Sequence, residues 1–233
     1  MEFKIQTIEK LFYYIVAYSY LLFPICFFFI GNKKKEAIPI LIALYGIVCF
    51  CFLIYYEEGG IPKDVKKYFL TSYTIFEYSI FTFIFWINFR KDKFRRLLLL
   101  ASVLFFGFQL FYVLTTKVKG LDSVPIGIET ILILIYVVYF FYSFSKRLSD
   151  FYIYNHYVFW IAVGILVYLG GSFFFFILFQ QLSTDQKNNF GNITYVAEII
   201  KNLLFVIALF TYTRYPFKKP EKNSNPVPFL DLI

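Results

Sequence analysis

Long apolar blocks alternate with short polar segments along this chain. Seven blocks of roughly 20 residues can be drawn, with approximate bounds 11–30, 38–56, 69–88, 97–116, 125–145, 157–181 and 193–213. At ~1.5 Å per residue, a helix of that length crosses a hydrocarbon core ~30 Å thick. The blocks lack the two-residue alternation that is typical of a membrane barrel strand. We therefore predict an all-α fold, a polytopic bundle of seven transmembrane helices formed by residues 1–214.

The composition agrees with a lipid environment. Hydrophobic residues make up 60% of the 233 residues and charged residues only 16%, whereas a soluble domain is about half apolar and about a quarter charged. The formal charge of +8 comes from lysines and arginines in short loops, where they set the topology and contact anionic lipid. We therefore expect the lipid bilayer as a partner and no binding of nucleic acid.

The basic residues are distributed unequally between the two sides of the predicted bundle. Fourteen fall on one side, in segments 33–35, 90–96, 146–147 and 214–222, and eight fall on the other. Since the richer side is normally cytoplasmic, we predict an outside N-terminus, a cytoplasmic C-terminus and a location in the cell inner membrane. The densest basic cluster should contact a partner or anionic lipid, and it consists of Arg90, Lys91, Lys93, Arg95 and Arg96.

The last segment of the chain, 215–233, differs from the apolar blocks. It is polar and contains four prolines, a composition that favours a disordered tail, which the predicted topology places in the cytoplasm. Its final residues, 227–233, form an apolar patch. That patch either docks on a partner or on the bundle, or it is a frayed end without a role.

Four ionisable residues interrupt the apolar blocks. They are Glu77 in the third block, Glu129 in the fifth, and Glu198 and Lys201 in the seventh. A charged side chain at the centre of a membrane helix costs about 2.5–3.5 kcal/mol, so these residues should face the interior of the bundle. Counting ~1.5 Å per residue from the outer helix ends places them ~6–12 Å deep, level with Gln109. We therefore expect one polar layer in the outer half.

Helical spacing extends this layer and leaves its role open. Tyr195, Glu198, Lys201 and Asn202 share one face of the seventh helix. One interpretation is an internal network, in which Lys201 pairs with Glu198 and Glu77 only to lock the helix packing. The other is a water-accessible pocket for a cationic or polyhydroxylated ligand, or an ion relay through one protonated glutamate. The predicted ligand-binding or relay residues are Glu77, Gln109, Glu129, Tyr195, Glu198, Lys201 and Asn202.

The residue types that support other chemistry are sparse. His156 is the single histidine, and the three cysteines all fall inside apolar blocks. No combination of these residues has the spacing of metal ligands, and no Gly-rich phosphate-binding loop is present. We therefore expect no metal and no cofactor, and an enzymatic role is not favoured.

Two strings near the end of the chain carry a resemblance. They run from Phe159 to Tyr168 (FWIAVGILVY) and from Ile199 to Phe205 (IIKNLLF). They resemble an uncharacterised group of bacterial seven-helix integral membrane proteins, and the similarity covers about the last third of the chain. The resemblance implies a bacterial inner-membrane setting, and it implies no activity.

Taken together, these patterns favour a receptor-like or sensory module. It would bind a small cationic or polar ligand from outside and signal to a separate cytoplasmic or membrane partner, since no soluble output domain interrupts the blocks. One alternative is a small transporter or an ion-conducting channel that uses the same carboxylates. Another is a structural membrane subunit of a larger complex, in which the ion pairs only pack helices.

Overall fold

The protein is described from a computed structural model, which covers residues 2–30, 37–89, 91–116, 123–145, 153–178 and 181–214. Within these ranges every regular element is helical, which confirms the all-α prediction for this part of the chain. The helices are α1 (Glu2–Ser19), α2 (Leu22–Phe29), α3 (Ala37–Glu58), α4 (Lys63–Asn88), α5 (Asp92–Thr115), α6 (Ser123–Ser145), α7 (Tyr157–Leu178) and α8 (Thr184–Arg214), and a 3₁₀ turn (Ile153–Asn155) precedes α7.

Six stretches of the described chain are long and apolar enough to cross a membrane. One of them, Lys10–Phe29, combines α1 and α2, and the other five belong to α3, α4, α5, α6 and α8. In α7 the corresponding stretch is shorter, Tyr157–Phe173. The predicted seven-helix arrangement fits these helices, and the fold is that of a multi-pass membrane protein.

Hydrogen bonds between helix ends show that α4 runs antiparallel to α5 and to α7. Lys67, near the start of α4, donates to the carbonyls of Val113 and Thr116 at the end of α5, at 2.6 and 2.5 Å. Tyr157, at the start of α7, donates to Asn88 at the end of α4, at 2.7 Å. We call the side on which α1, α4, α6 and α8 begin the N-terminal side, and the opposite side, on which α8 finishes, the C-terminal side.

The first span, predicted as one helix over 11–30, is broken between α1 and α2. The break lies at Tyr20 and Leu21, four residues before Pro24. Proline has no N–H with which to bond the carbonyl of Tyr20. That carbonyl instead accepts a hydrogen bond from the N–H of Phe23, at 3.2 Å, and this tightens the turn.

A glycine of α3 packs directly against this break. A Cβ atom on Gly46 would lie 2.5 Å from the carbonyl oxygen of Tyr20 and 2.8 Å from the ring of Phe23. Only a residue without a side chain allows the two backbones to approach so closely. Tyr20 is fully buried. The close contact at Gly46 therefore determines where the side chain of Tyr20 enters the interior.

Two glycines bring α7 and α8 together. Gly164 and Gly171 are seven residues apart and lie on one face of α7. A Cβ on Gly171 would lie 2.7 Å from that of Ala197, and one on Gly164 would lie 3.2 Å from the ring of Phe205. Small residues permit such close packing of membrane helices. The face of α8 that carries Lys201 is thereby held against α7.

The outer surface of the bundle is apolar. On α5, for example, the exposed side chains are Leu97, Leu99, Leu100, Val103, Leu104, Phe106, Leu110, Phe111 and Leu114. A water-soluble protein rarely exposes an apolar patch of this extent. This surface is suited to contact with lipid chains.

The fit of Gly46 leads to a prediction. We expect Gly46→Ala to destabilise the protein by about 1–3 kcal/mol, the range for overpacking a filled interior. The new methyl group would force the backbones of α3 and of the α1–α2 break apart. The measurement is the free energy of unfolding in mixed micelles, followed by tryptophan fluorescence.

Gly107→Ala is the matched control for this variant. Gly107 lies in α5, and a Cβ there meets nothing within 4 Å. We expect its stability to equal or exceed that of the wild type, because alanine is the better helix former. Equal losses of stability in Gly46→Ala and Gly107→Ala would contradict the packing argument.

Candidate functional site

A fully buried lysine occupies the centre of the bundle. Lys201 of α8 has no exposed surface. Its Nζ donates hydrogen bonds to the hydroxyls of Tyr20 and Tyr45, at 2.8 and 2.9 Å. It also lies 4.1 Å from the centroid of the Tyr168 ring, within the range of a cation–π interaction. Three tyrosines from separate helices therefore enclose one ammonium group.

Two carboxylates complete the group. The Nζ of Lys201 is 3.8 Å from Oε1 of Glu77 and 3.9 Å from Oε1 of Glu198. The hydroxyl of Tyr45 donates to the same oxygen of Glu77, at 2.6 Å, and that of Tyr20 donates to Oε1 of Glu198. Each of these hydroxyls thus accepts a hydrogen bond from the lysine and passes one to a carboxylate.

We call these six residues the Lys201 cluster; they are Tyr20, Tyr45, Glu77, Tyr168, Glu198 and Lys201. Tyr168 donates to the second oxygen of Glu77, at 3.3 Å, so both oxygens of that carboxylate are bonded. The residues come from the α1–α2 break, α3, α4, α7 and α8. With both glutamates ionised, the cluster carries a formal charge of −1. Charged hydrogen bonds of this kind offset the cost of removing ions from water.

The cluster is most accessible from the N-terminal side. The side chain of Glu198 is 13% exposed, against 6% for Glu77 and none for Lys201. Glu198 lies one turn from Tyr195, whose ring packs edge-to-face on Tyr13, with centroids 6.2 Å apart. Since α8 begins on this side, Glu198 is the first member of the cluster that a molecule entering from there would meet.

An aromatic layer lies on the other side of the cluster. Phe23, Phe81 and Phe205 are all fully buried. The ring of Tyr45 packs on Phe81 and Phe205, with centroid distances of 5.4 and 6.1 Å, and Phe23 stacks on Phe205 at 5.8 Å. These three phenylalanines separate the Lys201 cluster from the C-terminal side.

Two further predicted residues, Asn202 and Tyr195, lie beside the cluster on α8. Asn202 is fully buried, and its amide nitrogen donates to the hydroxyl of Ser19 at 2.7 Å. This bond ties α8 to the end of α1. Tyr195 packs on Tyr13, as described above. Both residues belong to the surroundings of the cluster and face α1.

The two remaining predicted residues are Gln109 and Glu129. Gln109 is fully buried in α5, and Glu129 of α6 is 5% exposed. Neither polar atom of Gln109 nor Oε1 of Glu129 has a hydrogen-bond partner among the described residues. None of these three atoms bonds the Lys201 cluster, and the single polar layer that we expected stays a prediction.

The three tyrosines of the cluster were missed in the sequence. The chain has 21 tyrosines, and nothing in helical spacing singles out these three. A local signal does exist for two of them. Tyr20 lies four residues before Pro24, and Tyr45 directly precedes Gly46, so each adjoins the point where α3 meets the α1–α2 break.

The predicted basic cluster lies on the C-terminal side. Lys91, Lys93 and Arg96 are exposed, as contact with lipid or a partner requires. Arg95 is partly buried instead; its Nε donates to the carbonyl of Trp86 at 3.0 Å, and its guanidinium lies 4.4 Å from the centroid of the Trp86 ring. This residue joins α4 to α5. Arg90 and the tail, 215–233, lie outside the described residues.

A protein site for a metal ion such as zinc requires several ligating side chains close together. Within the part of the chain that the structure describes, no three His, Cys, Asp or Glu side chains are grouped in a way that could hold a metal ion.

The ion pairs lead to a prediction about Lys201. We expect Lys201→Met to destabilise the protein by about 3–5 kcal/mol, because two buried carboxylates lose their counter-ion. Combining it with Glu77→Gln should recover part of this loss. The loss in Lys201→Met and its partial recovery in the double variant are both measured as changes in the free energy of unfolding in mixed micelles.

Lys66→Met is the control. The Nζ of Lys66 lies 4.4 Å from the centroid of the Tyr56 ring, near the N-terminal end of α4. Both residues are partly exposed, and a cation–π contact near the surface contributes only about 0.5–1 kcal/mol. An equal loss in Lys66→Met and Lys201→Met would show that the cluster has no special role in stability.

Comparisons with known proteins complete the description of the site. The chain matches no protein-family model, no curated protein and no solved structure. Its function is therefore inferred from its own residues.

Proposed function

We propose that this protein is a receptor-like sensory module of the bacterial inner membrane. The N-terminal side faces outward, in keeping with the distribution of basic residues. A small cationic or polyhydroxylated ligand enters from that side, engages the Lys201 cluster, and changes the contact with a separate partner on the cytoplasmic side. The observation that carries this proposal is a buried, hydrogen-bonded charge cluster that is closest to the surface on one side and sealed by phenylalanines on the other.

The charges of the cluster favour a cationic ligand. Two carboxylates face one lysine, so a second positive charge would neutralise the excess. An incoming ammonium group would meet Glu198 first. There it would compete with the hydroxyl of Tyr20, which donates to Oε1 of Glu198. Hydroxyl groups of a polyol would instead replace the two tyrosine hydroxyls as bridges between lysine and carboxylate.

The position of Tyr20 provides a route from binding to movement. Tyr20 lies at the break between α1 and α2, and its side chain bonds both Glu198 and Lys201. A ligand that displaces Tyr20 from Glu198 would loosen α1 from α8. A ligand shifts an equilibrium only through different affinities for its two states. Here the two states differ in whether Tyr20 or the ligand occupies Glu198.

The aromatic layer favours a sensor over a transporter or channel. Transport requires a path that continues from the cluster to the C-terminal side. Phe23, Phe81 and Phe205 fill the position next to the cluster on that side and pack on one another, with a centroid distance of 6.1 Å between Phe81 and Phe205. An ion leaving the cluster would have to cross this layer without polar ligands, at a high desolvation cost.

The output would lie on the C-terminal side. The exposed basic side chains of Lys91, Lys93 and Arg96 suit an acidic partner surface or anionic lipid. The chain shows no soluble output domain among its described residues, so the signal requires a separate transducer. The tail, 215–233, is a second proposed contact for it.

Binding at the cluster is tested by thermal stability in detergent. The probes are choline, ethanolamine, putrescine, glycerol and inositol. We expect at least one amine to raise the melting temperature of the wild type and to lose this effect in Glu198→Gln, because the neutral amide attracts no cation.

Glu58→Gln is the control for charge alone. Glu58 is an exposed carboxylate at the N-terminal end of the bundle, where it accepts a hydrogen bond from Tyr14 at 3.1 Å. This variant should keep the full response. If no probe stabilises the wild type, or if Glu198→Gln responds as the wild type does, the cluster is only a packing device.

Flux measurements separate the sensor from a transporter. We expect proteoliposomes that contain the wild type to show no uptake of the stabilising amine above protein-free liposomes. Uptake by the wild type that is abolished in Glu77→Gln would show that the protein is a transporter and not a sensor.

A further inference from the structure

A second group of buried polar atoms lies between α4, α5 and α6. Gln109 is fully buried and has no hydrogen bond at either amide atom, and Glu129 is 5% exposed with no partner at Oε1, among the described residues. Leaving a buried amide unpaired costs about 1–3 kcal/mol, and an unpaired carboxylate costs more. An occupant that bonds these atoms would remove this cost.

Two contacts fix the level at which α5 meets α4. Lys67 bonds the carbonyl of Val113 at 2.6 Å, and the hydroxyls of Tyr78 and Ser102 are 3.1 Å apart. The two helices are antiparallel, so each step forward on α4 is matched by a step backward on α5. Midway between these contacts, Thr71 lies opposite Gln109.

A third contact fixes the level of α6. The hydroxyl of Tyr78 is 3.0 Å from that of Tyr136, and α4 and α6 both begin on the N-terminal side. Glu129 precedes Tyr136 by seven residues, and Thr71 precedes Tyr78 by seven. Both steps are two helical turns, or ~10.5 Å, along the same face. Glu129 therefore lies level with Thr71 and Gln109.

The three helices thus bring a carboxylate, an amide and a hydroxyl to one level of the same seam. The Thr71 hydroxyl donates to the carbonyl of Lys67 at 3.0 Å, so its oxygen can still accept or coordinate. All three residues offer oxygen atoms, which hard cations prefer. A single carboxylate balances a single positive charge, whereas Ca²⁺ takes 6–8 oxygens, usually with several carboxylates.

We propose that this seam binds one sodium ion, coordinated by Oε1 of Glu129, Oε1 of Gln109 and the hydroxyl of Thr71. The ion reaches it from the N-terminal side, where α5 ends and α6 begins. Its single positive charge balances the negative charge of the Glu129 carboxylate. The site goes beyond the proposed sensory function, because it uses none of the residues of the Lys201 cluster.

Sodium titration of the purified full-length protein in detergent tests this site. NaCl replaces KCl at constant ionic strength, with no amine present, and the fluorescence of Trp86 and Trp160 reports the melting temperature. We expect a rise of about 3–5 °C when Na⁺ reaches tenfold its dissociation constant, and a further increase with the logarithm of its concentration above that. The rise should be absent in Glu129→Gln and in Gln109→Leu.

Gln109→Leu and Glu58→Gln distinguish the loss of the sodium site from a failure to fold. Gln109→Leu removes the unpaired amide and fills the seam with an apolar side chain of similar size, so we expect it to be at least as stable as the wild type without sodium. Glu58→Gln, which alters an exposed carboxylate at the same end of the bundle, should keep the full sodium response.

Three results would overturn the proposal. They are a melting temperature that does not change when Na⁺ replaces K⁺, an equal rise when either salt is added, and a sodium response that persists in Glu129→Gln or Gln109→Leu. The sodium response is independent of the amine response, which depends on Glu198, so either site can fail while the other stands.

Discussion

The buried charge of Lys201 is the constraint on which the bundle depends. An ammonium group in a low-dielectric interior is tolerated only with counter-ions and hydrogen-bond acceptors around it. Glu77, Glu198 and the hydroxyls of Tyr20 and Tyr45 supply them, and they come from four different segments of the chain. Because helix association in lipid gains little from the hydrophobic effect, these contacts also determine which helices become neighbours.

Close backbone packing and the charge cluster support each other. The break at Tyr20 and the missing side chain at Gly46 bring α1, α2 and α3 together, and Gly164 and Gly171 bring α7 to α8. Without these approaches, the tyrosine hydroxyls would not reach the lysine. The phenylalanines next to the cluster keep its dielectric low, which strengthens the ionic contacts and makes their loss costly.

The sequence allowed the helices to be predicted more completely than the site. Apolar blocks of membrane length indicated the helices, because lipid leaves the backbone few alternatives. The charges of Glu77, Glu198 and Lys201 marked an interior group, because such residues are costly in lipid. The roles of Tyr20, Tyr45 and Tyr168 could not be predicted, since tyrosine suits both the interior and the interface. Depth along a helix does not specify its neighbours, so the lack of a hydrogen bond at Gln109 and at Oε1 of Glu129 among the described residues could not be predicted either.

The place of Lys201 in α8, behind the other members of its cluster in the chain, has a consequence for biosynthesis. The tyrosines and Glu77 precede it in the chain, so ribosomal synthesis delivers them to the membrane first. When α8 leaves the translocation channel, its lysine meets acceptors that are already in the bilayer. A nascent chain that ends before α8 would hold Glu77 without its cation, so membrane quality-control proteases could distinguish an incomplete chain from a finished one by that single unbalanced charge.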